Sequence, residues 1–466
     1  MVRVAVAIAP EVRQLLDEDP EALLEFLEEI HDEDLADLVE FLDEADAARL
    51  LKSVPTETAA RIFERLDEDK QEQLVGAIGF DKVAPIVSEM AADDRTDLIE
   101  GLPEEVGETL LESIEKVDPE AAAEVEELAQ WPEDSAGGLM TTDYVSVGPE
   151  ATVAEVIEKI RHEGTEAETV YYVYVVSQHD KLLGVASLRD ILLAKAEAPM
   201  DEVMTEMVHV VSPTTDQEEV ARTMAKYDFS ALPVVGPQQR LLGVITVDDV
   251  MDVLTQEAGE DVQRIAAIEP TEGGYFDTGF WTFVRKRLVW LCVLFVGEFF
   301  TGTALRHYDE IIAAVATLSF YVPLLISTGG NAGSQSASLI IRGLATGDVV
   351  QADFWRIFWR ELGQGLVMGL AISVIGALRA YLWGDGLMFA LTVAVTLVGI
   401  VTVGCVVGST FPLLLKRIGL DPATSSAPFI ASLVDVLGIV VYFSVARILL
   451  AEVIASGAPA ALGAGH

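Results

Sequence analysis

From Phe283 onward the chain is dominated by apolar runs long enough to cross a bilayer, and these constrain its fold more than any other feature. A spanning helix needs about 20 apolar residues. Five stretches meet that length, roughly 283 to 304, 310 to 341, 356 to 382, 387 to 415 and 423 to 450. Basic residues gather at Arg285, Lys286, Arg287, Arg342, Arg356, Arg360, Lys416 and Arg417 on one side, against Arg306, Arg379 and Arg447 on the other. An excess of Lys and Arg marks the cytosolic face. The asymmetry predicts residues 1–278 in the cytosol, the apolar part in the cell's inner membrane and the short C-terminal tail outside, in agreement with an odd number of spans.

Charge divides as sharply as hydropathy. From Glu272 onward there are 12 acids and 11 bases; the preceding residues hold 64 acids and 19 bases, a formal charge of about −45. Such a polyanion repels nucleic acid and anionic lipid and attracts cations or basic partners. A salt-adapted, solvated surface has the same composition. Cys292 and Cys405 both lie in apolar stretches at no metal-ligand spacing and read as core or lipid-facing residues. Val4 to Ala9, followed by Pro10 and Glu11, is too short for a signal-peptide core.

A single carboxylate, Asp435, interrupts the last apolar stretch between Ile430-Ala431-Ser432-Leu433-Val434 and Val436-Leu437-Gly438-Ile439-Val440. An ionised group in hydrocarbon costs several kcal/mol, so it faces a bundle interior, a water-filled path or a partner charge. The oxygen ligand suits a hard divalent cation; an ion pair with Arg342 or Arg379 is the structural alternative. The second stretch carries Pro323, Ser327, Thr328, Gly329, Gly330, Asn331, Gly333, Ser334 and Gln335. Small and polar residues at that depth either pack helices closely or open the backbone toward protein or water. Gly329, Gly330, Asn331 and Gln335 are the candidate pore-lining residues.

Residues 11 to about 130 alternate one-faced apolar stretches, such as Leu23-Leu24-x-Phe26-Leu27, with acidic turns. That spacing predicts short helices stacked as a small solenoid. Asp93 and Asp97, four residues apart, share a helix face. Between 138 and 257 lies an internal repeat: Leu182-Leu183-Gly184-Val185-Ala186-Ser187-Leu188-Arg189-Asp190-Ile191 returns as Leu241-Leu242-Gly243-Val244-Ile245-Thr246-Val247-Asp248-Asp249-Val250, and Leu139-Met140-Thr141 returns as Val203-Met204-Thr205. Each copy is predicted as helix, apolar strand (Tyr171 to Val176; Ala231 to Val235), turn, strand and helix. The pattern resembles a tandem pair of CBS domains. In that family a Ser/Thr-x-x-Asp element often holds an adenosyl ribose, which corresponds here to Ser187 with Asp190 and Thr246 with Asp249, while Tyr172 and Arg189 would add stacking and phosphate contacts. The resemblance implies ATP or another adenine nucleotide as a ligand, with a purely structural module as the alternative. Val247 to Ile268 is predicted as one further helix bearing Asp248, Asp249, Asp252, Glu257, Glu260 and Asp261.

Nearly the whole chain resembles the MgtE family of magnesium channels. The resemblance rests on Trp131-Pro132-Glu133-Asp134-Ser135-Ala136-Gly137-Gly138-Leu139-Met140, the CBS pair, Tyr321-Val322-Pro323, Gly329-Gly330-Asn331-x-Gly333-x-Gln335-Ser336-Ala337, Asp421-Pro422-Ala423 and Asp435-x-x-Gly438-x-x-x-Tyr442-Phe443. It implies a multidomain fold: an acidic α-helical solenoid (1–131), an α/β tandem CBS pair (132–257), a connecting, plug-like helix (258–278) and a five-helix transmembrane pore domain (279–466). It further implies a homodimer whose two Asp435 side chains bind a hydrated Mg²⁺ on the two-fold axis. Cytosolic Mg²⁺ sites at Asp93, Asp97, Glu218, Asp228, Asp249, Asp252, Glu260 and Asp261 would close the pore. Where some members carry an amide just before the proline at 428, this chain has Ala427. The alternatives are a CBS-regulated secondary transporter of other divalent cations and an adenylate-sensing CBS module on an unrelated transport domain. No nucleophile and base pair, phosphate loop or paired catalytic carboxylates suggest an enzyme.

Screening and specific sensing separate experimentally. Screening depends only on ionic strength, whereas a carboxylate cage needs a small divalent ion. Millimolar Mg²⁺ is expected to protect residues 1–270 from protease where K⁺ at matched ionic strength does not; equal protection by the two salts would make the acidic surface merely solvated.

Overall fold

In the computed structural model, which describes residues 3–18, 20–27, 29–164, 167–271, 275–276 and 278–456, the chain divides into two units at Leu254/Thr255. In the first unit the one-sided apolar stretches form short helices between Arg3 and Leu128. Apart from Pro20–Leu27, which packs on Arg3–Glu18, each packs on the next but one. Arg3–Glu18, Asp32–Phe41, Thr56–Phe63, Phe80–Ser88 and Glu104–Val117 make one layer; Glu44–Ser53, Glu68–Ile78, Ala92–Gly101 and Pro119–Leu128 make the other. Neither layer buries its stripe alone, so Leu38, Leu50, Ile62, Phe63 and Leu74 meet in one shared, fully buried core. Acidic caps set the helix starts, with Asp43 accepting from the Asp46 amide at 3.0 Å and Asp118 from the Glu120 amide at 3.0 Å.

Arg95 ties the end of this solenoid together. Its guanidinium is 4% exposed and donates to the carbonyls of Val87, Ser88, Met90 and Ala121 and to the Glu124 carboxylate at 2.9 Å. The fixed fork of Arg matches several acceptors at once, so the Ala92–Gly101 helix, with Asp93, Asp94 and Asp97, is held rigidly.

The repeat folds as two interlocked copies. In the first, β1 (Tyr144–Val147) lies parallel to β2 (Thr169–Val176) through the crossover helix Val153–Glu163, and β2 pairs antiparallel with β3 (Leu182–Ser187). In the second, β4 (Ala231–Val235) pairs antiparallel with β5 (Leu241–Thr246). Tyr172 opposes Ser187 as Ala231 opposes Thr246, so the two copies share one register. Thr141 bridges to Val244, and Thr205 bridges to Val185. Each lead-in segment therefore docks on the other copy. The repeated glycines exist for that approach: a Cβ on Gly243 would stand 2.7 Å from the Thr141 carbonyl oxygen, and one on Gly184 would stand 2.8 Å from that of Thr205.

In the second unit four helical stretches are long and apolar enough to cross a membrane: Phe280–His307, Gln351–Leu382, Leu387–Arg417 and Ala427–Leu449. The stretch expected at 310 to 341 differs. It is divided by a turn at 315–317 into Asp309–Ala314 and Leu318–Ala345, and the small and polar residues of the latter keep it out of the apolar set. The backbone expected to open around Gly329 is instead helical throughout Leu318–Ala345. Pro323 falls in its second turn, past the first-turn positions where proline is free of cost, so the helix forgoes the hydrogen bond to the Ser319 carbonyl there. The small residues serve close packing: a Cβ on Gly404 would meet the Gly329 carbonyl oxygen at 2.6 Å, and one on Gly408 would overlap the Gly333 carbonyl. Tyr442 donates its hydroxyl to the Leu318 carbonyl at 3.0 Å, and Tyr321 donates to Asp385 at 2.6 Å.

The connecting segment also departs from expectation. Among the described residues no separate helix lies within 258–278. The last helix of the CBS pair continues as Val247–Ile265 and stops three residues short of the expected Ile268, where Ala267 takes a left-handed φ of 58°. Cys405 is buried and Cys292 exposed on an apolar helix, as expected. The C-terminal tail beyond 456 lies outside the described residues.

Arg95→Met is expected to destabilise the first unit by about 3 kcal/mol or more, because four buried carbonyls lose their donor. Arg13→Met, which removes only surface pairs with Asp43 and Asp46, should stay within about 0.5 kcal/mol. Denaturant titration of the full chain, read by protease cleavage within residues 1–254, compares the two.

Candidate functional site

Asp435 sits two turns into the Ala427–Leu449 helix, half-buried, against the Leu318–Ala345 helix. Gly330 makes room for it: a Cβ there would come within 3.4 Å of Asp435 Oδ1 and 3.3 Å of Ala431. Asn331 and Gln335, four residues apart, are exposed on one face of their helix. Gly329 is enclosed by Ile400 and Val434 and acts in packing. Neither Arg342 nor Arg379 forms an ion pair with Asp435 among the described residues; the Arg379 guanidinium lies over the Trp383 ring at 3.3 Å. Ser334 donates to the Ala427 carbonyl at 3.0 Å. Ala427 therefore contributes its backbone oxygen to this junction where a side-chain amide is missing.

Two membrane carboxylates were not singled out from sequence. Glu361 is 7% exposed and accepts from Ser336 Oγ at 2.7 Å, fastening the Phe354–Leu382 helix to Leu318–Ala345. Glu298, about two-thirds of the way along Phe280–His307, accepts from Ser432 Oγ at 3.0 Å. Each is an acid inside an apolar run, the same contrast by which Asp435 stands out in the sequence.

A second group of acids forms in the cytosolic unit. Asp93 is 7% exposed, and its Oδ1 has no hydrogen-bond partner. Burial, then the charges of Asp94, Asp249 and Glu168, push its carboxyl well above the ordinary range. Asp94 is pushed up to about 8 by burial and by Glu64 and Asp249. Asp97, open to water on one side and crowded on the other, is pushed up to about 7 by desolvation and by Glu133 and Glu100. Glu168 rises to about 7 through desolvation and Asp249. Asp249 is raised by desolvation despite accepting from Thr246 Oγ1 at 2.5 Å. Asp94 and Glu168 were missed because folding, and no local spacing, brings them to Asp249. A buried carboxylate oxygen without a donor is satisfied by a proton or a cation.

The other expected regulatory acids are dispersed. Asp252 is raised by desolvation, Glu33 and Asp248. Glu218 pairs with Arg222 at 2.6 Å near one end of the Gln217–Tyr227 helix, and Asp228 caps the other end in a left-handed conformation. In the second unit Arg264 bridges Glu260 at 2.6 Å and Asp421 at 3.4 Å, while Asp261 is raised by desolvation and by the nearby Asp421. Among the described residues no three of these groups converge as a ready metal cage.

The expected nucleotide residues also separate. Tyr172, Ser187 and Asp190 line one cleft of 380 Å³ with Thr205, His209 and Phe229. Ser187 Oγ donates to Asp190 at 2.5 Å, and the His209 ring stacks on Tyr227 at 4.1 Å between centroids. Thr246 and Asp249 belong to the acidic group instead, and exposed Arg189 lies outside the cleft lining. The two Ser/Thr-x-x-Asp elements look alike in sequence, but only the first faces aromatic walls.

Comparisons with known proteins agree along the chain. A family model described as a divalent cation transporter matches residues 322–445, the MgtE intracellular N domain matches 30–134, and CBS domains match 136–197 and 200–256. The magnesium transporter MgtE of Thermus thermophilus is 45% identical over 337 residues, 72% of this chain and 75% of that protein. That of Bacillus subtilis is 32% identical over 360 residues, 77% of this chain and 79% of that one. A crystal structure of the soluble part of a magnesium transporter, 30% identical, matches with a TM-score of 0.52 over 55% of this chain and 99% of its own. With its acidic helical solenoid, CBS pair and apolar helices each matched in this order, the chain belongs to the MgtE family of magnesium transporters, integral membrane proteins and not enzymes.

Proposed function

We propose that this protein is a Mg²⁺ channel whose ion path passes Asp435, and that cytosolic Mg²⁺ closes it by bridging the acidic groups of its regulatory domains. The observation that carries the reading is a half-buried carboxylate at membrane depth with no basic partner among the described residues. Mg²⁺ gives up water reluctantly and is usually held through its waters by one or two carboxylates. In a homodimer two Asp435 side chains, one from each subunit, would supply such outer-sphere contacts, and Gly330 leaves space beside them. Because hydrated ions are held loosely, they can also leave.

Closure follows from the other acids. Without a divalent ion, Asp93, Asp94, Asp97, Glu168 and Asp249 repel one another and lose hydration, which is what their raised pKa values express. Bound Mg²⁺ would replace those protons and draw the solenoid helix Ala92–Gly101 to the CBS pair, a population shift toward the compact state. Arg264 between Glu260 and Asp421 would hold the end of the connecting helix during that shift. The cleft at Tyr172, Ser187 and Asp190 has the aromatic walls and hydroxyl–carboxylate pair that suit an adenine nucleoside, and we assign it to ATP or a related nucleotide as a regulatory ligand.

Asp435→Asn is expected to lower Mg²⁺ flux into proteoliposomes at least tenfold while the protein stays folded, since it removes the charge that offsets ion dehydration. Flux following the Mg²⁺ gradient alone, with no second ion gradient, identifies a channel; parent-like flux in Asp435→Asn would remove the assignment.

The acidic group also sets a pH dependence. Its carboxyls have folded pKa values above their unfolded value near 4, so between about 4 and 8 the native state holds the extra protons and stability falls as pH rises. Below that window the penalty is absent, and above it the penalty is complete. Protease resistance of residues 1–254 in the full chain should therefore fall from pH 5 to pH 8.5 without Mg²⁺, hold steady with it, and depend less on pH in Asp93→Asn. A flat profile without Mg²⁺ would count against the cluster.

A further inference from the structure

The helix Phe280–His307 is the least enclosed of the apolar helices, with only 6% of its spanning window buried. Its sequence carries one acid, Glu298, among Phe295, Val296, Phe299 and Phe300. Glu298 lies eleven residues, about 16 Å, beyond the last basic residue of the flank, Arg287. That places it near the middle of a hydrocarbon layer about 30 Å thick. Its side chain is exposed, and no basic group pairs with it among the described residues. A carboxylate facing lipid at that depth costs several kcal/mol and persists where it faces water or a path for ions.

Its direction is fixed. Ser432 Oγ donates to Glu298 Oε1 at 3.0 Å, and Ser432 stands three residues before Asp435, on the same face of the Ala427–Leu449 helix. The hydrogen bond joins the outermost helix to the face that carries the pore carboxylate. It occupies one carboxylate oxygen and leaves the other available.

We propose that Glu298 is a second acidic residue of the ion path, held beside Asp435 by Ser432, where it contacts the water shell of the passing ion and raises preference for divalent over monovalent cations. The proposal rests on the Asp435 pathway. Because the Coulomb energy scales with the product of charges, a second negative group attracts a doubly charged ion about twice as strongly as it attracts a singly charged one at the same distance. Contact through water rather than direct ligation keeps the site passable.

The test uses the full chain in proteoliposomes, measuring the half-saturating Mg²⁺ concentration and the Mg²⁺-to-K⁺ flux ratio. Glu298→Gln keeps an acceptor for Ser432 but removes the charge; it is expected to raise half-saturation about tenfold and lower the flux ratio. Ser432→Ala keeps the charge but frees its direction and should shift both by about threefold, and Glu298→Asp, charged but shorter, should behave similarly. If Glu298→Gln matches the parent while Asp435→Asn is silent, Glu298 is no part of the path and the Asp435 reading stands. If Ser432→Ala shifts both readouts while Glu298→Gln, which keeps the hydrogen bond, matches the parent, the glutamate only positions a helix and the proposal falls. Parent-like flux in Asp435→Asn removes both readings. Should Glu298→Gln fail to fold, unchanged half-saturation and flux ratio in both Glu298→Asp and Ser432→Ala overturn the proposal.

Discussion

Uncompensated carboxylates in places short of water are the constraint on which the rest of this protein depends. Asp435 and Glu298 lie at membrane depth, and Asp93 lies 7% exposed with an oxygen that accepts from nothing. A structure built only for stability would pair such groups with bases or replace them with apolar residues. Here the available bases are used elsewhere. Arg95 is spent on four carbonyls and Glu124, and Arg379 lies over Trp383. Negative charge is thus left for a mobile cation to neutralise, both where ions would pass and where their concentration would be read.

The surrounding scaffold makes that cost bearable. Gly329 and Gly333 let Leu318–Ala345 approach Leu387–Arg417 at backbone distance, and the gain in dispersion contacts replaces a hydrophobic force that lipid does not supply. Glu361, accepting from Ser336, adds a buried hydrogen bond between two helices of the same group. In the cytosolic unit the two-layer solenoid and its buried arginine fix the helix that carries Asp93, so its charge cannot simply swing into solvent.

The layout was legible in the sequence where periodicity or repetition writes it locally. One-faced stripes gave the solenoid, and the Leu-Leu-Gly-Val repeat gave the matched strands, while their register, Tyr172 opposite Ser187 and Ala231 opposite Thr246, is seen only in the structure. Hydropathy gave four of the long apolar helices. It could not place the start of the fifth, because the turn at 315–317 contains Val315 and Ala316, which are as apolar as a helix interior. The continuity of that helix through Gly329 and Gly330 was illegible too, since a glycine-rich run reads equally as a break or as a packing seam until its neighbour is known. Site residues followed the same divide. Asp435 announces itself by contrast with its neighbours, whereas Asp94 and Glu168 acquire meaning only when folding carries Asp249 to them.

The crossed docking of the two CBS copies has a consequence for how the chain is made. Solenoid helices find their partners within a few tens of residues and can settle as they leave the ribosome. Thr141 must instead wait for Val244, about a hundred residues later, before its backbone is paired. Long sequence separation slows closure because loop entropy is lost before contacts form. During that interval the first copy can complete its own core, from Val145 to Met200, and pair Val185 with Thr205, while the lead-in at 139–141 still lacks its partner. The acidic solenoid already emerged beside it then serves the nascent chain as a charged, soluble leader that discourages association between neighbouring copies during synthesis.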